Sequence, residues 1–450
     1  MLRRLLLILS IGLLSCQLQA TSLAKLNEII QPKQMREDLT KWLDFLDKTH
    51  PDLSYTVADT ELFYDSIRKI KKSLNQPMTV RQFWREISIL NSQLSDGHTG
   101  IAIDNRRQLT QQHIDSGGGV FPFSLVFDNN KLVITSLIDN QPSKLKGYSI
   151  EKINGLAINQ VLQPLLKRLH GDSLRHRQAL LAKRFASYYW QYFGNAETFI
   201  IDVVSRNNAT KISNISISAS KAAFNVQQSF AETYQFIVLD DQTAKLTIKE
   251  FIWSDKNHYF AFMEDAFKQV KALKIKKLII DIRENGGGDD DMWKKGILSY
   301  IANKPWRHAS TYRVKILEGS ADEGETVGDV VSGELDTNNL AKIDNPYRFD
   351  GDVYVLIGAY TYSSSILFAN TVQDHGFASL VGEKTGGKSG QTGGVQNLVL
   401  PHSQLAVFSP RFLLARPQGG HDMKPVSPNI ALSYDKTQPE QLVKSLMQTW

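Results

Sequence analysis

Two apolar runs in the second half of the chain constrain the fold more than any other feature. "KLIIDI", residues 277–282, follows the amphipathic stretch "NHYFAFMEDAFKQVKAL", and "DVYVLIGA", residues 352–359, ends at a row of serines. A strand without polar alternation must be buried on both faces, and such strands belong to parallel sheets covered by helices. With "AKLTIKEF" ahead of the same amphipathic stretch, the order is strand, helix, strand, which predicts an α/β core over residues 233–450. Reactive groups in open α/β sheets gather where strands finish and helices begin, so two loops become candidates for chemistry.

The first loop, "DIRENGGGDDD", has three glycines that let the backbone approach a ligand closely; the plainer reading is a tight turn with Asp289–Asp291 stabilising a helix start. The second, "AYTYSSSILFANTVQD", puts Ser363, Ser364 and Ser365 where a helix begins. Free amides there can hold an oxyanion, although serines in that position commonly act as caps. A serine hydroxyl needs a neighbour to take its proton, and the loops supply His98 in "SDGHTG" and Lys388 in "GEKTGGKSG". Histidine accepts a proton near neutral pH without a large shift, whereas lysine needs burial to become a neutral base. None of the ten histidines stands in an HExxH or comparable pair, and "GGGDDD" lacks the Lys-Ser/Thr of a phosphate loop. Neither a metal nor any other cofactor is therefore expected.

Ahead of the core, residues 21–104 read as helical, with capping-box spacing at Thr79 and Gln82 and an apolar stripe of Phe83, Trp84, Ile87, Leu90 and Leu94. This region ends by presenting His98. Residues 105–165 alternate as short strands around Asn129-Asn130, and "LKGYSIEKINGLAI" looks like the end of a PDZ module. That resemblance implies peptide capture by strand addition, with Pro122 removing an amide where a carboxylate cradle would lie. Residues 166–232, with the helix "RHRQALLAKRFASYYWQYF" and a strand pair, read as a connector.

The 52 basic and 46 acidic residues are spread without clusters, so the net charge of +6 predicts no nucleic-acid partner. Residues 1–20, "MLRRLLLILSIGLLSCQLQA", read as an export signal. Cys16, the only cysteine, follows "LLS" in a pattern that resembles the lipobox of bacterial lipoproteins; the rival is cleavage after Ala20. The expected location is the periplasm of a bacterium, or a membrane held by a lipid anchor.

Taken together, "LIIDIRENGGG", the serine loop and the PDZ-like segment resemble the S41 peptidases, which include C-terminal processing proteases, the tricorn core and the interphotoreceptor retinoid-binding protein. The resemblance implies a ClpP/crotonase-like core. Aligning Thr361–Ile366 with the processing proteases' Thr-Ala-Ser-Ala-Ser-Glu places the nucleophile on Ser363, with Ile366 where they have glutamate. It further implies an oxyanion hole from the amides of Ser364 and Gly287. Lys388 and Asp374 fall on positions of the processing-protease branch. His98 matches the "Asp-Gly-His-Thr" of the tricorn-like branch, and Asp422 in "HDMKPVSPNI" falls where that branch has the acid that orients the histidine. The favoured assignment is Ser363, His98 and Asp422, acting on peptides or unfolded protein. The alternatives are a Ser363–Lys388 dyad and a non-hydrolytic carrier of the same fold.

Overall fold

The computed structural model describes residues 22–224, 228–335, 339–420 and 423–450. The export signal and Asp422 thus lie outside the described residues, within which no helix is long and apolar enough to cross a membrane.

The front of the chain is helical. Helix α1 (Pro32–Thr49), α2 (Thr60–Ser73) and α3 (Val80–Ile87) precede a 3-10 turn at Ser88–Gln93. The expected capping box at Thr79 and Gln82 forms, and Phe83, Trp84, Ile87, Leu90 and Leu94 are all buried. The chain then turns through Asp96–His98 into a short strand, β1 (Gly100–Ala102), and helix α4 (Arg106–Asp115).

A β module follows: β2 (Phe123–Asp128), β3 (Lys131–Leu137), β4 (Ser149–Ile153), helix α5 (Ile158–Leu166), helix α6 (Leu174–Phe193), β5 (Thr198–Val204) and β6 (Lys211–Ser218). Its sheet runs in the order β2-β3-β4-β5-β6. Asn129 and Asn130 both take positive φ at the two-residue turn between β2 and β3, which suits the twist of a tight hairpin. The segment read as a connector is therefore part of this module. It supplies β5 and β6 to the sheet, and α6 buries Phe185, Tyr188, Tyr189 and Trp190 in the same apolar cluster as β2–β5. The sequence boundary failed here because the break after α5 is only a helix-to-helix turn.

The rear of the chain is the expected α/β core. It comprises β7 (Tyr234–Val238), β8 (Thr243–Ile248), helix α7 (Lys256–Ala272), β9 (Lys277–Asp281), helix α8 (Asp290–Gly296), β10 (Thr311–Lys315), β11 (Val330–Glu334), β12 (Asp352–Ile357), helix α9 (Ser364–Asp374), β13 (Ser379–Gly382), β14 (Gln391–Gly393), β15 (Gln396–Val399), β16 (Ala406–Ser409), β17 (Phe412–Leu414), β18 (Ile430–Ala431) and helix α10 (Glu440–Met447). Strands β8, β9, β12, β13 and β18 are parallel, and β7 closes one edge antiparallel. The apolar runs have the predicted cause: Leu278 and Ile280 of β9 pack into the main core, while Ile279 faces Leu442, Val443 and Leu446 of α10.

Of two small sheets, one stitches the halves together. β1, directly after His98, pairs antiparallel with β16, and β14 pairs with β17 in a sheet of order β11-β10-β17-β14. Backbone pairing across some three hundred residues holds the Asp96–His98 turn against the rear domain.

Candidate active site

Three turns meet at the candidate site. Strand β12 ends in the loop 358–362, whose Thr361 hydroxyl accepts from the Gly358 amide at 3.0 Å and donates to the Ile282 carbonyl at 3.0 Å. Ser363 then sits just before α9 with φ 54° and ψ −126°, a left-handed conformation for a residue that carries a Cβ. Such strain costs about 1–3 kcal/mol and persists where the surroundings over-determine it, as at a sharp strand-to-helix turn that lifts a nucleophile out of the backbone.

The three serines separate by their partners. Ser364 Oγ donates to Asp290 Oδ1 at 2.5 Å and accepts from Trp293 Nε1 at 2.9 Å; Ser365 Oγ donates to Asn285 Oδ1 at 2.6 Å. Both are buried. Ser363, the partly exposed one, lies with Oγ 3.1 Å from His98 Nε2.

Asp96 and Thr392 organise the histidine. His98 Nδ1 is 3.0 Å from Thr392 Oγ1, and Thr392 Oγ1 donates to Asp96 Oδ1 at 2.8 Å. Because that hydroxyl spends its proton on the carboxylate, it must accept from the ring, which places the imidazole proton on Nδ1 and leaves Nε2 an acceptor towards Ser363. The direct Nδ1 to Asp96 Oδ1 distance is 4.0 Å, with Asp96 side chain only 3% exposed and His98 14%. Asp96 also accepts from the His98 amide at 3.0 Å and from Thr99 Oγ1 at 2.5 Å. Burial alone would raise its pKa, yet His50, His98 and Thr99 together hold it below the ordinary carboxylate range. For His98, burial lowers the pKa and the Asp96 charge partly restores it.

Beneath the pair lies Tyr362, whose ring is 5.0 Å from that of His98. Its hydroxyl donates to Asp172 Oδ1 at 2.7 Å and accepts from the Gly97 amide at 2.9 Å. Asp172 takes two more amides, from Gly97 at 2.7 Å and Lys388 at 2.8 Å. Burial, then the nearby Asp96 charge, push the Asp172 carboxyl up to about 6.

The glycine loop faces Ser363 closely: a Cβ on Gly287, which has φ 108°, would come within 2.7 Å of Ser363 Cβ. Asn285 ties the two loops together. Its carbonyl accepts from the Tyr362 amide at 3.2 Å, its Nδ2 donates to Ile248 at 3.2 Å, and its Oδ1 accepts from the Gly287 amide at 2.9 Å as well as from Ser365. The Gly287 amide expected in an oxyanion hole is thus engaged within its own loop. Ser364 opens α9, so its amide has no acceptor inside the helix.

The remaining candidates lie elsewhere. Lys388 Nζ donates to the Tyr55 carbonyl at 2.9 Å and stands 4.4 Å from the Tyr55 ring centre; burial lowers its pKa, against the raising charges of Asp172 and Asp96. Asp374, at the far end of α9, pairs with Arg416. Among the described residues no three His, Cys, Asp or Glu side chains are placed to hold a metal ion. Sequence reasoning missed the roles of Asp96, Thr392, Asp172, Tyr362 and Asn285. Asp96 was legible as a near neighbour of His98 in "SDGHTG", but nothing in "SGQTGG" distinguishes Thr392 from any strand threonine.

The sequence profile of peptidase family S41 matches residues 242–432, from β8 to β18. Residues 242–432 are thus a peptidase family S41 segment within the chain. That segment marks the protein as a serine peptidase acting on peptide or protein substrates. The matched segment contains Gly287, Ser363 and Lys388; His98 and Asp96 lie outside it. No curated protein matches the chain by sequence. Among solved structures, mature CPAF complexed with lactacystin is 12% identical, with 93% of this chain and 97% of that one covered at a TM-score of 0.65. Mature CPAF gives the same identity and TM-score, covering 93% and 96%. The photosystem II D1 C-terminal processing protease is 15% identical over 91% and 96%, at a TM-score of 0.49. At 12% identity the likeness to CPAF is one of fold, and it extends to the helical front and the β module that the family profile leaves out.

Proposed function

We propose that this protein is an exported peptidase that cleaves peptide bonds through an acyl-enzyme on Ser363, with His98 as general base. The observation that carries this is the 3.1 Å approach of His98 Nε2 to Ser363 Oγ across 265 residues of chain, with the opposite ring nitrogen held through Thr392 by Asp96. Ser363 Oγ attacks the peptide carbonyl carbon as its proton passes to Nε2. The imidazolium is stabilised by the Asp96 carboxylate through the Thr392 hydroxyl. The amide of Ser364 holds the developing oxyanion, joined by that of Gly287 once it exchanges Asn285 Oδ1 for the substrate. Collapse breaks the C–N bond, and Nε2 returns its proton to the leaving amine. Water, deprotonated by the same nitrogen, then releases the acyl group and frees the serine.

In this reading Asp96 and Thr392 fill the orienting role that the family resemblance assigned to Asp422. Lys388 supports the site through its amide bond to Asp172, while its ammonium is turned to Tyr55. Export, with either a lipid on Cys16 or a mature N-terminus after Ala20, rests on residues 1–20 alone. A fluorophosphonate probe tests the chemistry: it should label the protein at Ser363 and fail on Ser363→Ala. Failure to label the native protein would overturn the nucleophile and favour the carrier reading. Metabolic labelling with an alkyne fatty acid, followed by mass measurement of the mature N-terminus, decides the fate of Cys16.

A further inference from the structure

Residues 170–173 join α5 to α6 and so belong to the β module, yet their side chains reach the turns that carry Ser363 and His98. His170 Nδ1 donates to the Gly97 carbonyl at 2.7 Å, and the Gly97 amide donates to Asp172 Oδ1 at 2.7 Å. Both polar groups of the residue before His98 are therefore held by one segment. The same Asp172 Oδ1 accepts from the Tyr362 hydroxyl at 2.7 Å, and Tyr362 is the residue before Ser363. Asp172 Oδ2 takes the Lys388 amide at 2.8 Å. Ser173 caps α6 and donates from Oγ to the Gly386 carbonyl at 2.6 Å. The histidine turn, the serine loop and the lysine loop thus all end on this short stretch.

The packing around Tyr362 leaves its ring little freedom. A Cβ on Gly97 would come within 2.6 Å of the phenol, and one on Gly387 within 2.5 Å of the ring. The His176 ring lies 4.1 Å away, centre to centre. Asp172 Oδ1, at 2.7 Å, is the near acceptor for the hydroxyl proton, and Asp96 Oδ1 stands off at 3.4 Å. The Gly97 amide meets the Tyr362 hydroxyl at 2.9 Å as well as the carboxylate. Carboxylate, hydroxyl and amide therefore close a triangle of hydrogen bonds between residues 97 and 362, and His98 and Ser363 are the next residues along the two segments. Bonds to an ionised carboxylate are the strong ones, so this triangle is a stiff tie.

We propose that Asp172 is the positioning residue of the Ser363–His98 pair: its carboxylate fixes the turn that carries His98 against the loop that carries Ser363, and so sets the separation across which the proton moves. The inference rests on the peptidase reading above.

Asp172→Ala should lower kcat on a fluorogenic peptide by roughly 100-fold with KM changed by less than about twofold, since a misplacement of about 1 Å costs a reacting pair that much. Asp172→Asn keeps an Oδ1 for Gly97 and Tyr362 and should be at least about tenfold faster than Asp172→Ala. A purely structural role would lower unfolding stability and leave kcat of the folded protein unchanged. That result, a loss confined to KM, or an Asn variant no faster than the Ala variant would overturn the assignment. If Asp172→Ala fails to fold, Tyr362→Phe cuts the serine-loop end of the tie alone and decides by the same split, with an expected loss in kcat of roughly tenfold. Fluorophosphonate labelling of the native protein keeps the two proposals apart. Were Ser363 unlabelled, the peptidase reading fails, and a crystal structure of the folded variant decides the positioning. A His98 Nε2 to Ser363 Oγ separation beyond about 3.5 Å would support it, and the native 3.1 Å would overturn it.

Discussion

His98 and Lys388 are both basic, both partly withdrawn from water and both close to the buried carboxylates Asp96 and Asp172, yet they are built for different work. The imidazole of His98 has one nitrogen fixed by Thr392 and the other aimed at Ser363. The ammonium of Lys388 is spent on the Tyr55 carbonyl and ring, and only its backbone amide reaches the site, through Asp172. A lowered pKa is common to the two residues and does not distinguish them. What distinguishes them is whether the nitrogen lies within hydrogen-bond reach of the hydroxyl it must deprotonate, and geometry takes precedence over pKa in naming a base.

The largest effect breaks the comparison outright. His98→Ala should lower kcat/KM by roughly 10³-fold or more, as loss of a triad base does, whereas Lys388→Met should lower it by less than about tenfold. Equal losses, measured on one fluorogenic peptide, would put the ammonium back in contention.

A second effect tests how the imidazole is held. Thr392→Val keeps the shape but removes the hydroxyl between Nδ1 and Asp96, and should reduce kcat roughly 100-fold with KM little changed. Thr392→Ser should restore most of the rate. A loss that Ser fails to restore would mean that the threonine methyl, and not its hydroxyl, matters.

The pH profile gives a smaller but directional effect. In the proposed mechanism His98 works when neutral, and burial lowers its pKa, so kcat/KM should stay level through neutrality and fall only below the usual histidine value of about 6.5. Because the Asp96 charge raises that pKa, Asp96→Asn should move the acid limb further down in pH while lowering the plateau. Activity still climbing above neutrality would instead signal a lysine base.

The smallest effect is on stability. Lys388→Met leaves the buried Tyr55 carbonyl without its ammonium donor and should cost about 1–3 kcal/mol in denaturant unfolding. His98→Ala, at the partly open mouth of the site, should cost less. The reverse order would make the histidine the structural residue of the two.

Much of the rear half was legible because its signals are local. An apolar strand buried on both faces needs no knowledge of its neighbours to be read, and the capping box at Thr79 is a matter of four residues. Ser363 and His98 were each visible in a polar turn next to a regular element. The β module's extent was not, because β5 and β6 join its sheet after two intervening helices, and strand pairing leaves no mark at that distance. For the same reason, Thr392, Asp172 and Asn285 were not singled out. Each acquires its role from a partner on another segment.

By itself, then, the sequence determined the kinds of element present, the turns able to carry chemistry and the family to which the rear half belongs. Only the tertiary structure decided which base faces Ser363, because that depends on β1 pairing with β16 and on β14 carrying Thr392 to the far side of the imidazole. Periodicity and capping act within a few residues and are written along the chain. A hydrogen bond between residues 98 and 363 depends on how whole sheets pack, and that is settled by the summed burial of many side chains, none of which names the contact.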